Sequence, residues 1–224
     1  MNLSKHTLTV TALAGALLVP LAAGAQAAAQ PAAAPASAAA PAASGSTAKR
    51  AATAPGFLAA RDLPPAKGTT WTAGKVTKGL PEFEPFCLEK VLPAQGTTWH
   101  RRFGTDLDTW AVQVSVRTPN AAAARKLVTA AEKAAAGCAA DWLRGTPGGT
   151  ASWQDYGRLA VEEGAHVYGV HTAVPESEHG VHLIGIGRDG STVTLVQWAQ
   201  MGTLSHAPVK AFKKTTTTAV AKLH

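Results

Sequence analysis

Cysteine is scarce in this chain of 224 residues: there are two, Cys87 and Cys138, and no C-x-x-C spacing. That excludes a dithiol redox motif and a four-sulfur metal site. No serine sits in G-x-S-x-G, so the nucleophile elbow of the common hydrolases is missing. Asp106 and Asp108 share a turn but lack the further oxygen ligands of a calcium loop. All 13 aromatic residues and both cysteines lie beyond Pro55, which leaves the first quarter of the chain without the means to build a core. Charge is sparse as well, at 16% Asp, Glu, Lys and Arg.

What the start does contain is an export signal. Lys5 and His6 precede an uncharged run from Leu8 to Val19, Pro20 breaks that run, and small residues follow through Ala25-Gln26-Ala27. A basic start, a short apolar centre and an A-x-A site describe a cleaved signal peptide, taken here as residues 1–25. The centre is shorter than the roughly 20 residues of a membrane span. No membrane span is therefore expected after cleavage. Residues 26–55 are mostly Ala, Pro and Ser with only Lys49 and Arg50 charged, and Pro31, Pro35 and Pro41 interrupt any helix. This segment reads as a disordered, semi-extended tether.

The remaining residues, 56–224, are long enough for one domain with a real core. In an oxidising compartment Cys87 and Cys138 are expected to pair, a bridge worth about 4 kcal/mol by loop-closure entropy. Lys and Arg outnumber Asp and Glu by 21 to 14, a formal net charge of +7. The basic residues are scattered, so this is the surface of an exported domain; a nucleic-acid partner is not expected outside the cell.

Periodicity sets the fold class. Trp110 to Arg117 alternates, with Trp110, Val112, Val114 and Val116 on one face and Gln113, Ser115 and Arg117 on the other, as in a half-buried antiparallel strand. Trp99 to Thr105 reads as its strand neighbour. After Thr118-Pro119-Asn120 the period changes, and Ala124, Leu127, Val128, Ala131, Ala135, Cys138 and Trp142 recur at helical spacing. Glu84 to Leu92 reads as a short helix carrying Cys87, and Gly56 to Leu63 as a helical lead-in. Strands are expected at Ala165–Thr172, Val181–Arg188 and Thr192–Gln200, the last two joined through Asp189-Gly190. A closing helix spans Pro208 to Leu223. The expectation is α+β: an antiparallel β-sheet with helices packed on one face and one disulfide.

Sites are harder to read. Gly185-x-Gly187-x-x-Gly190 matches the dinucleotide fingerprint, but a strand follows where the fingerprint needs a helix, and no cofactor is expected. His166, His171, His179 and His182 crowd together near Glu162 and Glu163. His166 and His171 are five apart and point to opposite faces of one strand, so no metal site is expected from them. A cross-strand pair of either with His182 is what alternation leaves open. Gly68-Thr69-Thr70-Trp71 and Gly96-Thr97-Thr98-Trp99 repeat one tetrapeptide, varied at Gly149 to Trp153. Each reads as a turn and a Trp sealing a strand end, while Trp rims also suit sugar, peptide or lipid contacts. The candidate ligand-binding side chains are Trp99, Trp153, Tyr168, His166 and His182; no catalytic residue is assigned.

The order of features resembles the PknH-like extracellular sensor domain of actinobacteria. The residues that carry it are Gly56-Phe57-Leu58, Pro85-Phe86-Cys87, the Thr118 to Cys138 helix and the glycine-punctuated meander Val181 to Gly202. The resemblance implies an α+β domain with a groove for an unidentified ligand, and binding without catalysis. Members of that family commonly carry two disulfides, whereas this sequence offers one cysteine pair. The functional expectation is a secreted, non-catalytic sensor-like domain, extracellular or associated with the cell wall, taking a small molecule or a cell-wall or lipid component. A secreted hydrolase and a structural or protein-interaction module are the alternatives.

Overall fold

Trp110 to Arg117, the clearest alternation in the sequence, lies in the middle of the sheet. The structure is a computed structural model and describes residues 53–224 except 84, 95, 96 and 178. The signal peptide and nearly all of the tether lie outside the described residues.

Eight strands follow in chain order: β1 (Thr72–Ala73), β2 (Thr77–Lys78), β3 (Thr98–Gly104), β4 (Trp110–Arg117), β5 (Thr150–Leu159), β6 (Ala165–Ala173), β7 (His179–Asp189) and β8 (Thr192–Met201). Two helices, α1 (Ala121–Gly145) and α2 (Val209–Ala221), complete the domain. The strands form one antiparallel sheet in the order β1-β3-β4-β8-β7-β6-β5, with β2 also paired to β3. The α+β class, the antiparallel sheet and the single disulfide are as the sequence leads one to expect.

The helices differ from expectation in their placement, because each covers a different face. Ala124, Ala131 and Ala135 of α1 pack with Val112, Val114, Tyr168, Val170, Ile184, Ile186 and Leu195. Phe212 and Ala219 of α2 pack with Ala111, Val167, Val181, Leu183, Val196 and Trp198, joined by Leu58 from the N-terminal segment. These two sets alternate along every central strand, so they lie on opposite sides. The reason is in the strands themselves: β6, β7 and β8 are buried on both faces and need a cover on each. Gln113 and Ser115 are accordingly buried. Gln113 accepts a hydrogen bond from the Leu58 N–H (2.7 Å) and donates to Thr194 Oγ1 (3.0 Å). A buried amide left without such partners would cost about 1–3 kcal/mol.

Glycines make the α2 side fit. A Cβ at Gly185 would stand 2.2 Å from Thr216 Oγ1, and one at Gly187 would stand 2.5 Å from Val220 Cγ2. Gly185 and Gly187 thus let a helix lie close on the sheet, while Gly190, at φ +53°, turns the chain between β7 and β8.

Two local expectations are corrected. Residues 86–92 form turns instead of a helix, since Cys87 has φ +71°, a left-handed conformation that interrupts a right-handed helix. Gln197 holds this segment by accepting from the Phe86 N–H (2.9 Å) and donating to the Phe86 carbonyl (3.3 Å). The lead-in is a single 3-10 turn, Ala60–Asp62. β5 was not expected from the sequence: it is an edge strand, largely exposed and polar, and a bulge between Asp155 and Gly157 breaks its alternation. Cys87 and Cys138 are bridged, Cα atoms 5.4 Å apart, and close a loop of sequence separation 51. The bridge clamps the turn segment onto α1.

Candidate functional site

Pairing registers place side chains in rows across the face that α1 covers. One row runs Trp153, Val170, His182, Ala199, Trp110; the next runs Asp155, Tyr168, Ile184, Gln197, Val112, Arg102. Helix α1 covers the β5–β7 part of these rows, and the turn segment, residues 86–92, packs over the β8–β4 part.

Where that segment ends, the sheet is left partly uncovered. Phe83, Arg102, Trp110 and Val112 line a hollow of about 410 Å³. Val112 forms its buried floor. Trp110 is 40% exposed and Phe83 70% exposed, both unusual for aromatic side chains in a soluble domain. The Arg102 guanidinium lies 5.5 Å from the centre of the Phe83 ring, within cation–π range. The hollow therefore offers two aromatic faces and one cation. The hollow lies between the sheet and the disulfide-held turn segment.

Behind Trp110 stands His182. Its ring lies 4.5 Å from Phe86 and 6.1 Å from Trp110, centre to centre, and its Nδ1 is buried without a partner among the described residues. Burial pushes its pKa down to about 4, so the imidazole is neutral at physiological pH.

A second constellation gathers beneath α1 at the β5–β6 edge. His166 Nε2 lies 2.7 Å from Asp155 Oδ1, and its Nδ1 lies 3.0 Å from the Tyr168 hydroxyl and 3.5 Å from Glu132 Oε1 of α1. Arg158 reaches the same Glu132 oxygen at 3.5 Å. The consistent assignment has Nε2–H donating to Asp155 and the phenol donating to Nδ1. The bond from His166 holds the Asp155 carboxyl below its ordinary range, helped by the Gly157 N–H at the bulge. Burial first, and then the Glu132 and Asp155 charges, push Tyr168 up to about 12. A phenol held that high stays protonated and donates a hydrogen bond, so it makes a poor nucleophile.

Of the five side chains singled out from the sequence, three come together: His166, Tyr168 and Trp153, whose ring is 6.4 Å from Tyr168 and 46% exposed. His182 lies in the Trp153 row but next to Trp110. Trp99 is buried on the opposite face of β3, beside Ser115, and takes no part in either constellation. The repeated tetrapeptide therefore marks three unlike sites: Trp71 is tied to the Pro64 carbonyl (2.7 Å), Trp99 is buried and Trp153 is exposed. Phe83, Arg102, Trp110, Glu132 and Asp155 were missed by sequence reasoning. Trp110 carried a signal, as the outermost apolar residue of an alternating strand. The others are brought into place by strand pairing and helix docking alone.

No protein-family model matches the sequence, and no curated protein matches it. Among solved structures, the fold is similar to the extracellular domain of PknH from Mycobacterium tuberculosis. The two share 13% identity with a TM-score of 0.41, over 71% of this chain and 95% of that one. Among the described residues no helix is long and apolar enough to cross a membrane.

Proposed function

We propose that this domain is a sensor-like, non-catalytic binding module of the cell exterior, and that its ligand seats in the hollow of Phe83, Arg102, Trp110 and Val112. The observation that carries the reading is the pair of exposed aromatic rings flanking one guanidinium over an apolar floor. Such an arrangement favours a molecule with a flat apolar or sugar face and one acidic group: the rings stack on the body and the guanidinium pairs with the acid. The volume falls within the range of small-molecule sites. The disulfide, which persists in oxidising surroundings, supports placement outside the cytoplasm.

The aromatic sulfonate 1-anilinonaphthalene-8-sulfonate has this chemistry and serves as the probe. Its fluorescence should rise on saturable binding to the full chain, and Trp110→Ala and Arg102→Gln should each weaken that binding by about fivefold or more, or ~1 kcal/mol. Equal binding by wild type and both variants would remove the hollow from consideration. Native mass spectrometry of protein from its own culture medium then tests for a retained ligand of the same class.

A further inference from the structure

His171 near the end of β6 and His179 at the start of β7 enter neither constellation. In the β6–β7 register His171 faces Val181 and Ala173 faces His179, which makes the two histidines diagonal neighbours on one face of the hairpin. This is the face opposite His166 and His182. His171 Nε2 and His179 Nδ1 stand 2.9 Å apart, with ring centres 5.0 Å apart and planes tilted by 36°. His171 is half-buried and His179 exposed, so the pair is open to solvent on one side.

We infer that His171 and His179 form a two-imidazole site for a divalent late transition-metal ion, with Cu²⁺ the preferred occupant. Two nitrogens bound at about 2.0 Å are about 2.8 Å apart when cis on a square-planar or tetragonal ion, and about 3.3 Å apart on a tetrahedral one. The two nitrogens now stand at hydrogen-bond distance, close enough to serve as cis ligands of one ion once that bond opens, and imidazole ligands favour Cu²⁺ over its first-row neighbours. In the metal-free pair a single N–H lies between the two nitrogens. Binding moves that proton to the far nitrogen of the same ring through solvent, so each imidazole stays neutral and presents a lone pair. Both rings turn to aim their lone pairs at an ion lying off the line between the nitrogens, and water completes the coordination. Two ligands on adjacent strands also make the ion a clip across the hairpin.

The test is titration of the full chain with Cu²⁺, read by calorimetry and by electron paramagnetic resonance. One ion per chain should bind, with nitrogen hyperfine structure from two imidazoles. His171→Gln and His179→Gln should each weaken binding at least tenfold, whereas His206→Gln and His224→Gln should leave it unchanged; Zn²⁺ should bind more weakly than Cu²⁺. Circular dichroism confirms that each variant remains folded. The inference is overturned if no stoichiometric binding occurs below on the order of 100 µM metal. It is equally overturned if only one of the two substitutions matters, or if neither does.

Discussion

A ring nitrogen buried without a hydrogen-bond partner usually weakens a fold, and His182, whose Nδ1 has none among the described residues, makes that cost depend on pH. Its folded-state pKa of about 4 lies below the roughly 6.5 of an unfolded chain. Between those values the unfolded chain takes up a proton that the folded one refuses. The neutral-imidazole contribution is therefore complete above pH 6.5 and declines as pH falls through the window, by roughly 3 kcal/mol at most, before levelling near pH 4. His182→Phe keeps a ring against Phe86 and Trp110 and removes the titration. Urea midpoints at pH 7 and pH 4.5 should differ less in the variant than in the wild type, and an identical drop in both would place the acid sensitivity elsewhere. At the same scale, Arg102 and Phe83 show why sequence reading stopped short of the hollow. One lies on a strand and the other in a turn segment, 19 positions earlier, and nothing local couples them.

At the scale of elements, the meander was legible because its hydrophobic runs are bounded by turn residues, and α1 because its apolar stripe keeps helical spacing from Ala124 to Cys138. β5 was not legible, because an exposed edge strand with a bulge has no period-2 hydrophobic signal. The turn segment was read as a helix because Cys87's left-handed backbone leaves no trace in composition. The docking of α2 offers a direct test of element packing. Gly185→Ala should cost about 1–3 kcal/mol by forcing Thr216 and its helix outward. Adding Thr216→Ala removes the two atoms nearest the new methyl group and should restore part of that loss. Thermal melts of the two single variants and the double variant measure the coupling. Strict additivity would mean that the helix does not rest on Gly185.

For the whole molecule, one bridge joins parts that secondary structure does not. The turn segment meets the sheet through Gln197 and Phe86 and meets α1 through Cys138. Replacing both cysteines by alanine, which leaves no stray thiol, should lower stability by about 2–5 kcal/mol. It should also loosen residues 85–92 in hydrogen exchange while the β6–β8 core stays protected. Unchanged melting would show that packing alone holds the segment. If the hollow is the binding site, the same double variant should weaken probe binding, because the segment that carries Phe83 loses its anchor.

Taken alone, the chain's residues determined the cysteine pair, the helix of regular stripe and the strands with hydrophobic runs. Each of these depends on neighbours within a few turns or on composition. Tertiary structure decided which face each helix covers, where the uncovered part of the sheet lies, and which polar groups meet. Glu132, Asp155 and His166 come from three elements, as Phe83, Arg102 and Trp110 come from three others, and their contacts arise only when strand register and helix docking are set together. A one-residue slip in any strand would turn every such side chain to the opposite face, which is why packing of the whole sheet, and no local preference, selects the site.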